Sequence, residues 1–211
     1  MAGSTPVIVE DNDAAISYQF CDDGMFCAGA PMKSGPIDAA LIERWALAYL
    51  GRYANSAEGL QRILMRRARK RLGEDREALG DVAAVVDALL ARYQTSGLVD
   101  DAAFAGARAR AGLRRGQSLR TIRAGLAAKG VGAEDAAAAL DALAEDRDPE
   151  VAAACAFARR RRLGPFSRGP ADRKKELATF ARAGFSRATA EAVLACGTAE
   201  EVEALVAAPN E

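Results

Sequence analysis

Three runs of arginine and lysine, each free of acids, are the groups in this chain best suited to hold an anion. Between Gly59 and Gly73 lie Arg62, Arg66, Arg67, Arg69, Lys70 and Arg71. Between Ala102 and Ala133 lie Arg108, Arg110, Arg114, Arg115, Arg120, Arg123 and Lys129. The third run is Arg159, Arg160, Arg161 and Arg162, with Arg168, Arg173, Lys174 and Lys175 beyond it. A guanidinium offers a planar fork of N–H donors and never loses its charge, so such runs suit phosphates or carboxylates. Any one run also reads as a solvated helix face whose aliphatic stems cover apolar neighbours. Three acid-free runs at matching places along the chain favour a binding stripe.

Other chemistries lack their residues. The chain contains no histidine, which removes Ser-His and Cys-His dyads and histidine-ligated metals. The four cysteines, Cys21, Cys27, Cys155 and Cys196, form no C-x-x-C pair and read as reduced cytosolic thiols. No nucleotide-binding glycine loop is present, and no carboxylate pair stands out. The expectation is a protein that is not an enzyme and needs neither cofactor nor metal. No basic start followed by an apolar run marks a secretory signal, and no apolar stretch reaches the roughly 18 residues of a membrane span. The expected location is cytoplasmic.

The formal net charge of zero conceals an uneven distribution. Residues 1–37 hold Glu10, Asp11, Asp13, Asp22 and Asp23 against Lys33, and residues 198–211 hold Glu200, Glu201, Glu203 and Glu211 with no base. Residues 38–197 therefore keep 28 bases and 20 acids, a net of +8. A basic body with acidic ends suits a polyanionic partner.

The elements that would position the bases are helices. Alanine is abundant and aromatic residues make up only 6%, which leans the composition to helix. Leu41, Ile42, Trp45, Tyr49 and Tyr53 recur every three or four residues, as one helix face does. Ser56 and Ser118 read as N-caps, Asp148-Pro149 as a cap with proline at the first helical position, and Lys129-Gly130 as a C-terminal stop. Thr198 and Glu201 form a capping box. Phe104, Trp45, Tyr49, Phe157 and Phe180 read as core rather than as base-stacking platforms. Residues 1–37 show no helical period; Val7–Val9 and Tyr18–Phe20 are either short strands or parts of a disordered or loosely packed arm, and the second is favoured.

Nine helices in groups of three imply a repeat of roughly 50 residues. The expected organisation is an acidic tail (1–37), three three-helix repeats (38–98, 99–147 and 148–197) and a short acidic C-terminal helix and tail (198–211). One three-helix unit buries little alone, whereas stacked units make an elongated, curved all-α body.

Certain of these residues carry a resemblance. Gly97-Leu98-Val99-Asp100-Asp101, Phe104-Ala105, Arg108, Arg114-Arg115-Gly116, Ile122, Leu126 and Lys129-Gly130-Val131 resemble the central segment of RecX proteins. The flanks are similar through Ala46-Leu47, Tyr49-Leu50, Ser56 and Leu60, and through Lys174, Leu177, Phe180, Arg182, Gly184-Phe185-Ser186 and Val193-Leu194. The resemblance spans about 38–196. It departs at Gly59, where a helix former is usual, and over 66–80, which is longer and more basic. It implies a regulator, commonly an inhibitor, of the RecA recombinase, built from tandem three-helix repeats that bind in the groove of the RecA–single-stranded DNA filament. It implies effects on filament growth, ATP hydrolysis and strand exchange in DNA repair and the SOS response. The candidate contacts are Arg66, Arg67, Arg108, Arg110, Arg114, Arg115, Arg120, Arg123, Lys129, Arg159, Arg160, Arg161, Arg162, Lys174 and Lys175, with weak, salt-dependent binding of single-stranded DNA and a monomeric state. Two other readings stay open: a general nucleic-acid-binding helical repeat, and a helical interaction scaffold.

Overall fold

A computed structural model of the chain describes residues 8–11, 14–20, 26–28, 37–144, 148–169 and 172–208. The helical body comprises α1 (Ala39–Leu50), α2 (Ala57–Leu72), α3 (Arg76–Thr95), α4 (Asp101–Arg114), α5 (Leu119–Ala128), α6 (Ala133–Asp141), α7 (Pro149–Arg161), α8 (Arg173–Arg182), α9 (Arg187–Ala195) and α10 (Ala199–Ala207), with a 3-10 turn at Gly164–Phe166. From α1 onward no strand occurs among the described residues. Ahead of α1, three short strands, β1 (Ile8–Asp11), β2 (Ala14–Phe20) and β3 (Phe26–Ala28), pair antiparallel in chain order, with Ile8 opposite Ser17 and Tyr18 opposite Ala28. Where the sequence left strand and loose arm open for Val7–Val9 and Tyr18–Phe20, the stretches described are strands, as their β-branched and aromatic content permits. The rest of the expected acidic tail, Cys21, the side chain of Cys27 and residues 209–211 lie outside the described residues.

The helices begin where short polar residues can satisfy free N–H groups. Asp38, Ser56, Asp75, Asp100, Ser118, Asp148, Asp172, Ser186 and Thr198 each accept a backbone N–H of the first turn. Each such cap stabilises its helix by about 1 kcal/mol. At the end of α5, Gly130 turns left-handed at φ 78°, and the Val131 N–H closes the turn on Leu126 O at 3.1 Å, a Schellman arrangement. Charge follows the helix dipole: α2 has Glu58 in its first turn and Arg69, Lys70 and Arg71 in its last, while α7 has Glu150 first and Arg159, Arg160 and Arg161 last.

Three apolar clusters, rather than one, form the interior, and the body is a stack of three tandem helical repeats. Ile42, Leu60, Leu64, Val86, Leu89 and Tyr93 fill the first, within α1–α3. Phe104, Ile122, Leu126, Val131 and Leu140 fill the second, within α4–α6. The third, within α7–α10, is built on Phe157, Phe180 and Phe185, whose ring centroids lie 5.2–5.6 Å apart. Here α10 contributes Val202, so the closing acidic helix is part of the third core. Of the five aromatics expected inside, Phe104, Phe157 and Phe180 are buried. Trp45 and Tyr49 lie only half-buried at the rim of the first cluster.

The same polar joint links each repeat to the next. Ser56, fully buried as the cap of α2, accepts the Gly59 N–H and donates its hydroxyl to Lys129 O at the end of α5. Ser118, fully buried as the cap of α5, donates to Ala183 O at the end of α8 at 2.8 Å. Beside each serine, a carboxylate from the next repeat takes the first N–H of the same helix. Ala57 N–H donates to Asp101 Oδ1 at 2.8 Å, and Leu119 N–H donates to Glu150 Oε2 at 2.8 Å. Helix ends left free by the hydrogen-bond geometry of the helix are thus satisfied across the repeat boundary.

Candidate functional site

The turn joining α4 to α5 gathers three of the candidate bases. Arg114 ends α4, Arg115 is its C-cap and Arg120 stands in the first turn of α5. All three are exposed, as is Arg123 one turn further along. The turn is held from behind: Gly116, at φ 68°, brings its α-carbon against the backbone of Phe157 in α7. No carboxylate among the described residues lies within ion-pair distance of Arg114, Arg115, Arg120 or Arg123. An arginine cluster with no internal acid keeps its donors for an outside anion.

The stack brings the second and third runs together at this turn. Arg114 lines an open groove of about 610 Å³ with Arg159 and Arg160 of α7, together with Ala152, Cys155, and Val202 and Glu203 of α10. Glu203 pairs with Arg159 at 3.1 Å. The Arg159 guanidinium lies 5.4 Å from the Phe166 ring and that of Arg161 lies 5.9 Å from the Phe157 ring, as cation–π partners. Arg162 caps α7 in the left-handed region at φ 57°. Lys174 and Lys175 lie exposed on the first turn of α8, where Lys175 pairs with Asp172 at 3.0 Å. Arg120 also lies beside the turn at Gly184. Burial pushes the Cys155 thiol up to about 11, so it is a packed thiol and not a nucleophile.

The remaining candidates lie elsewhere. Arg108 is on the exposed side of α4 with its guanidinium 5.4 Å from the Phe104 ring, Arg110 is exposed on the same helix, and Lys129 is exposed at the end of α5. In the first run, Arg66 is exposed, whereas Arg67 is half-buried over Trp45. Arg62, in the same run, acts inside the protein: it donates to Ala128 O at 3.1 Å and pairs with Glu58 at 3.3 Å.

Two features carry weight that the run of charges did not signal. One is the joint, above all Asp101 and Glu150, first-turn acids of α4 and α7 that reach across a repeat boundary. Burial raises the Glu150 carboxyl above the ordinary range, partly offset by the Leu119 N–H bond. Their only sequence signal is the recurrence of a capping serine, a first-turn acid and a Gly-Val or Gly-Phe pair along the repeats. The other is Tyr53, the most exposed large apolar side chain among the described residues; its helical spacing from Trp45 and Tyr49 pointed inward.

Comparison with known proteins agrees with this architecture. The family described as RecX, second three-helix domain, matches residues 100–140, the stretch of α4–α6. The regulatory protein RecX of Myxococcus xanthus is 38% identical over 169 residues, covering 78% of this chain and 89% of its own length. The regulatory protein RecX of Agrobacterium fabrum is 37% identical over 157 residues, covering 71% of this chain and 79% of its own. The crystal structure of RecX from Lactobacillus salivarius has the same fold, with a TM-score of 0.53 at 15% identity over 79% of this chain and 97% of that one. With relatives this similar over this much of its length, the chain belongs to the RecX family of regulatory proteins.

Proposed function

We propose that this protein regulates a RecA-type recombinase by binding its filament on single-stranded DNA, as an inhibitor of ATP hydrolysis, strand exchange and filament growth in DNA repair and the SOS response. It acts in the cytoplasm as a monomer, by occupying a surface rather than by catalysis. The observation that carries the reading is the α4–α5 turn, where Arg114, Arg115 and Arg120 crowd together without an internal acid beside Arg159 and Arg160. A filament presents phosphates and carboxylates in repeating array. Several charge-assisted contacts made together supply affinity that one exposed pair would not. Arg108, Arg110, Arg123, Lys129, Arg161, Arg162, Lys174 and Lys175 on repeats 2 and 3, and Arg66 and Arg67 on a separate face of repeat 1, are proposed as further contacts with the same filament.

The test is the ATPase of RecA on single-stranded DNA with this protein added. The native chain lowers turnover. The triple variant R114E/R115E/R120E loses inhibition while its helical circular dichroism stays native, because exposed charges on a turn contribute little to folding. A triple variant that inhibits at the native concentration removes this turn from the contact and shifts the assignment to Arg159–Arg162.

A further inference from the structure

We infer that the α1–α2 face of the first repeat is a stacking surface for the bases of single-stranded nucleic acid, with the Tyr53 ring as its platform. This deepens the reading above, on which it rests for the nucleic-acid partner, and it concerns a different surface from the α4–α5 turn.

Four observations carry it. First, Tyr53 is 59% exposed although it continues the apolar spacing of α1, so its ring is not part of the core. Second, the ring is held in place: its backbone N–H donates to Tyr49 O at 3.0 Å, continuing the turn of α1, and the two tyrosine rings lie 5.3 Å apart at 41°. An exposed aromatic already ordered loses little entropy when a flat partner lands on it.

Third, guanidinium groups lie over one ring of the row. Trp45, one turn before Tyr49, has the guanidinium of Arg67 at 6.0 Å and that of Arg71 at 5.7 Å from its ring. Fourth, the two acids carried by α1 and α2 themselves are paired elsewhere. Residues 39–73 hold only Glu43 and Glu58. Glu43 pairs with Arg92 of α3 at 2.9 Å, and Glu58 pairs with Arg62 at 3.3 Å against the Gly130 turn. The face thus carries a row of rings, with Tyr53 at its exposed end and the Arg67 guanidinium, unpaired with any acid among the described residues, over Trp45 at the other.

That combination selects the partner. Bases stack on exposed aromatic rings while guanidinium groups hold the backbone. In a duplex the bases are already stacked inside, so the phosphates would meet the arginines and the Tyr53 ring would have no role. An acidic protein surface would likewise use the charges and not require aromatic planarity.

The experiment uses the full chain, without recombinase, and a fluorescein-labelled oligothymidylate read by anisotropy. Trp45, the sole tryptophan of the chain, reports independently through its emission. The native chain binds with a Trp45 emission change. Y53L, which keeps an apolar side chain but removes the ring, binds about tenfold more weakly with an unchanged salt slope. Y53F binds as the native chain does. R67Q lowers the log–log salt slope by about 0.7. Duplex of the same sequence is insensitive to Y53L.

Native affinity in Y53L, or a loss in Y53F equal to that in Y53L, overturns the proposal. So does an equal loss on duplex. Loss of recombinase inhibition in Y53L with oligonucleotide binding intact assigns the face to a protein and overturns it as well. A native chain that does not bind the oligonucleotide but still inhibits RecA sinks this inference and leaves the regulatory reading standing.

Discussion

The two joints of the stack are built to one plan and closed by different means. At the first, between repeats 1 and 2, polar groups do most of the holding: Ser56 on Lys129 O, Ala57 N–H on Asp101, and Arg62 on Ala128 O. At the second, between repeats 2 and 3, the serine and acid bonds recur, and apolar packing is added. Leu113 of α4 packs against both the second and the third clusters, and Gly116 lets α4 end directly on the α7 backbone. Among the described residues no side chain is shared in this way between the first and second clusters. Hydrogen bonds exchanged with water contribute little net, whereas a shared apolar cluster cannot be separated without exposing it. Repeats 2 and 3 are thus expected to behave as one body, with repeat 1, which carries the basic and aromatic face, the first to separate.

The glycines at the two joints give the largest test of that difference. A Cβ at Gly116 would stand 2.5 Å from Phe157 N and 2.8 Å from Phe157 Cα, which are backbone atoms with nowhere to go. At Gly130 it would meet Arg62 Nη2, the far end of a flexible side chain, and Glu58 Cβ, both at 2.6 Å, across a boundary that shares no apolar cluster and can open. Both positions also carry the left-handed strain of an L side chain, about 1–2 kcal/mol. Gly116→Ala is expected to destabilise by about 4 kcal/mol and Gly130→Ala by about 2 kcal/mol, with the overpacking making the difference. Urea unfolding reads both. Gly130→Ala should also let repeat 1 unfold in its own transition, since neighbouring repeats hold together only through their interface. Equal losses in one transition would mean that the joints are equivalent.

The serines reverse the ranking. Ser56→Ala removes a cap and leaves Lys129 O without its donor, a loss of about 2 kcal/mol. At the second joint the Thr121 hydroxyl also reaches Ala183 O, at 3.2 Å, so Ser118→Ala leaves that carbonyl served. The bond it gives up as a cap, from Thr121 N–H, is already long at 3.3 Å. About 1 kcal/mol is expected there. Urea midpoints of the two alanine variants decide it, and a larger loss at Ser118 would show that Thr121 does not substitute.

Much of this was legible in the sequence because it depends on local rules. Ser56, Ser118, Asp148-Pro149 and Lys129-Gly130 mark helix ends by chemistry acting within a few residues, and the three-helix grouping followed from them. Long-range matters were not legible. Asp101 and Glu150 look like ordinary first-turn acids until another repeat supplies the N–H they bind. Tyr53 has the spacing of a core residue, but α1 ends at Leu50 and the side chain beyond that end stays exposed. The basic runs were visible as composition. Which of them meet depends on how repeats stack, so only the structure puts Arg114 beside Arg159 and Arg160 and separates them from the cluster around Trp45.

The smallest effect expected concerns the acid of the second joint. Burial raises the Glu150 carboxyl above the ordinary range, so between its unfolded and folded values the folded state holds more protons than the unfolded state. Stability contributed by this group therefore rises as pH falls through that window, and its charged form costs stability above it. The cost is well under 1 kcal/mol, because the side chain is only half-buried and water screens it. Glu150→Gln keeps an oxygen to accept the Leu119 N–H and removes the titration. The variant should be slightly more stable than the native chain at neutral pH, and the gap should close as the solution is brought into the weakly acidic range. Asp172, held below the usual carboxylate range chiefly by its hydrogen bonds from Lys175, acts in the opposite sense in both proteins and cancels in the comparison. Urea midpoints of the two proteins across that range read the difference. A variant less stable at neutral pH would mean that the Glu150 charge holds the second joint closed, making that joint as dependent on polar contacts as the first.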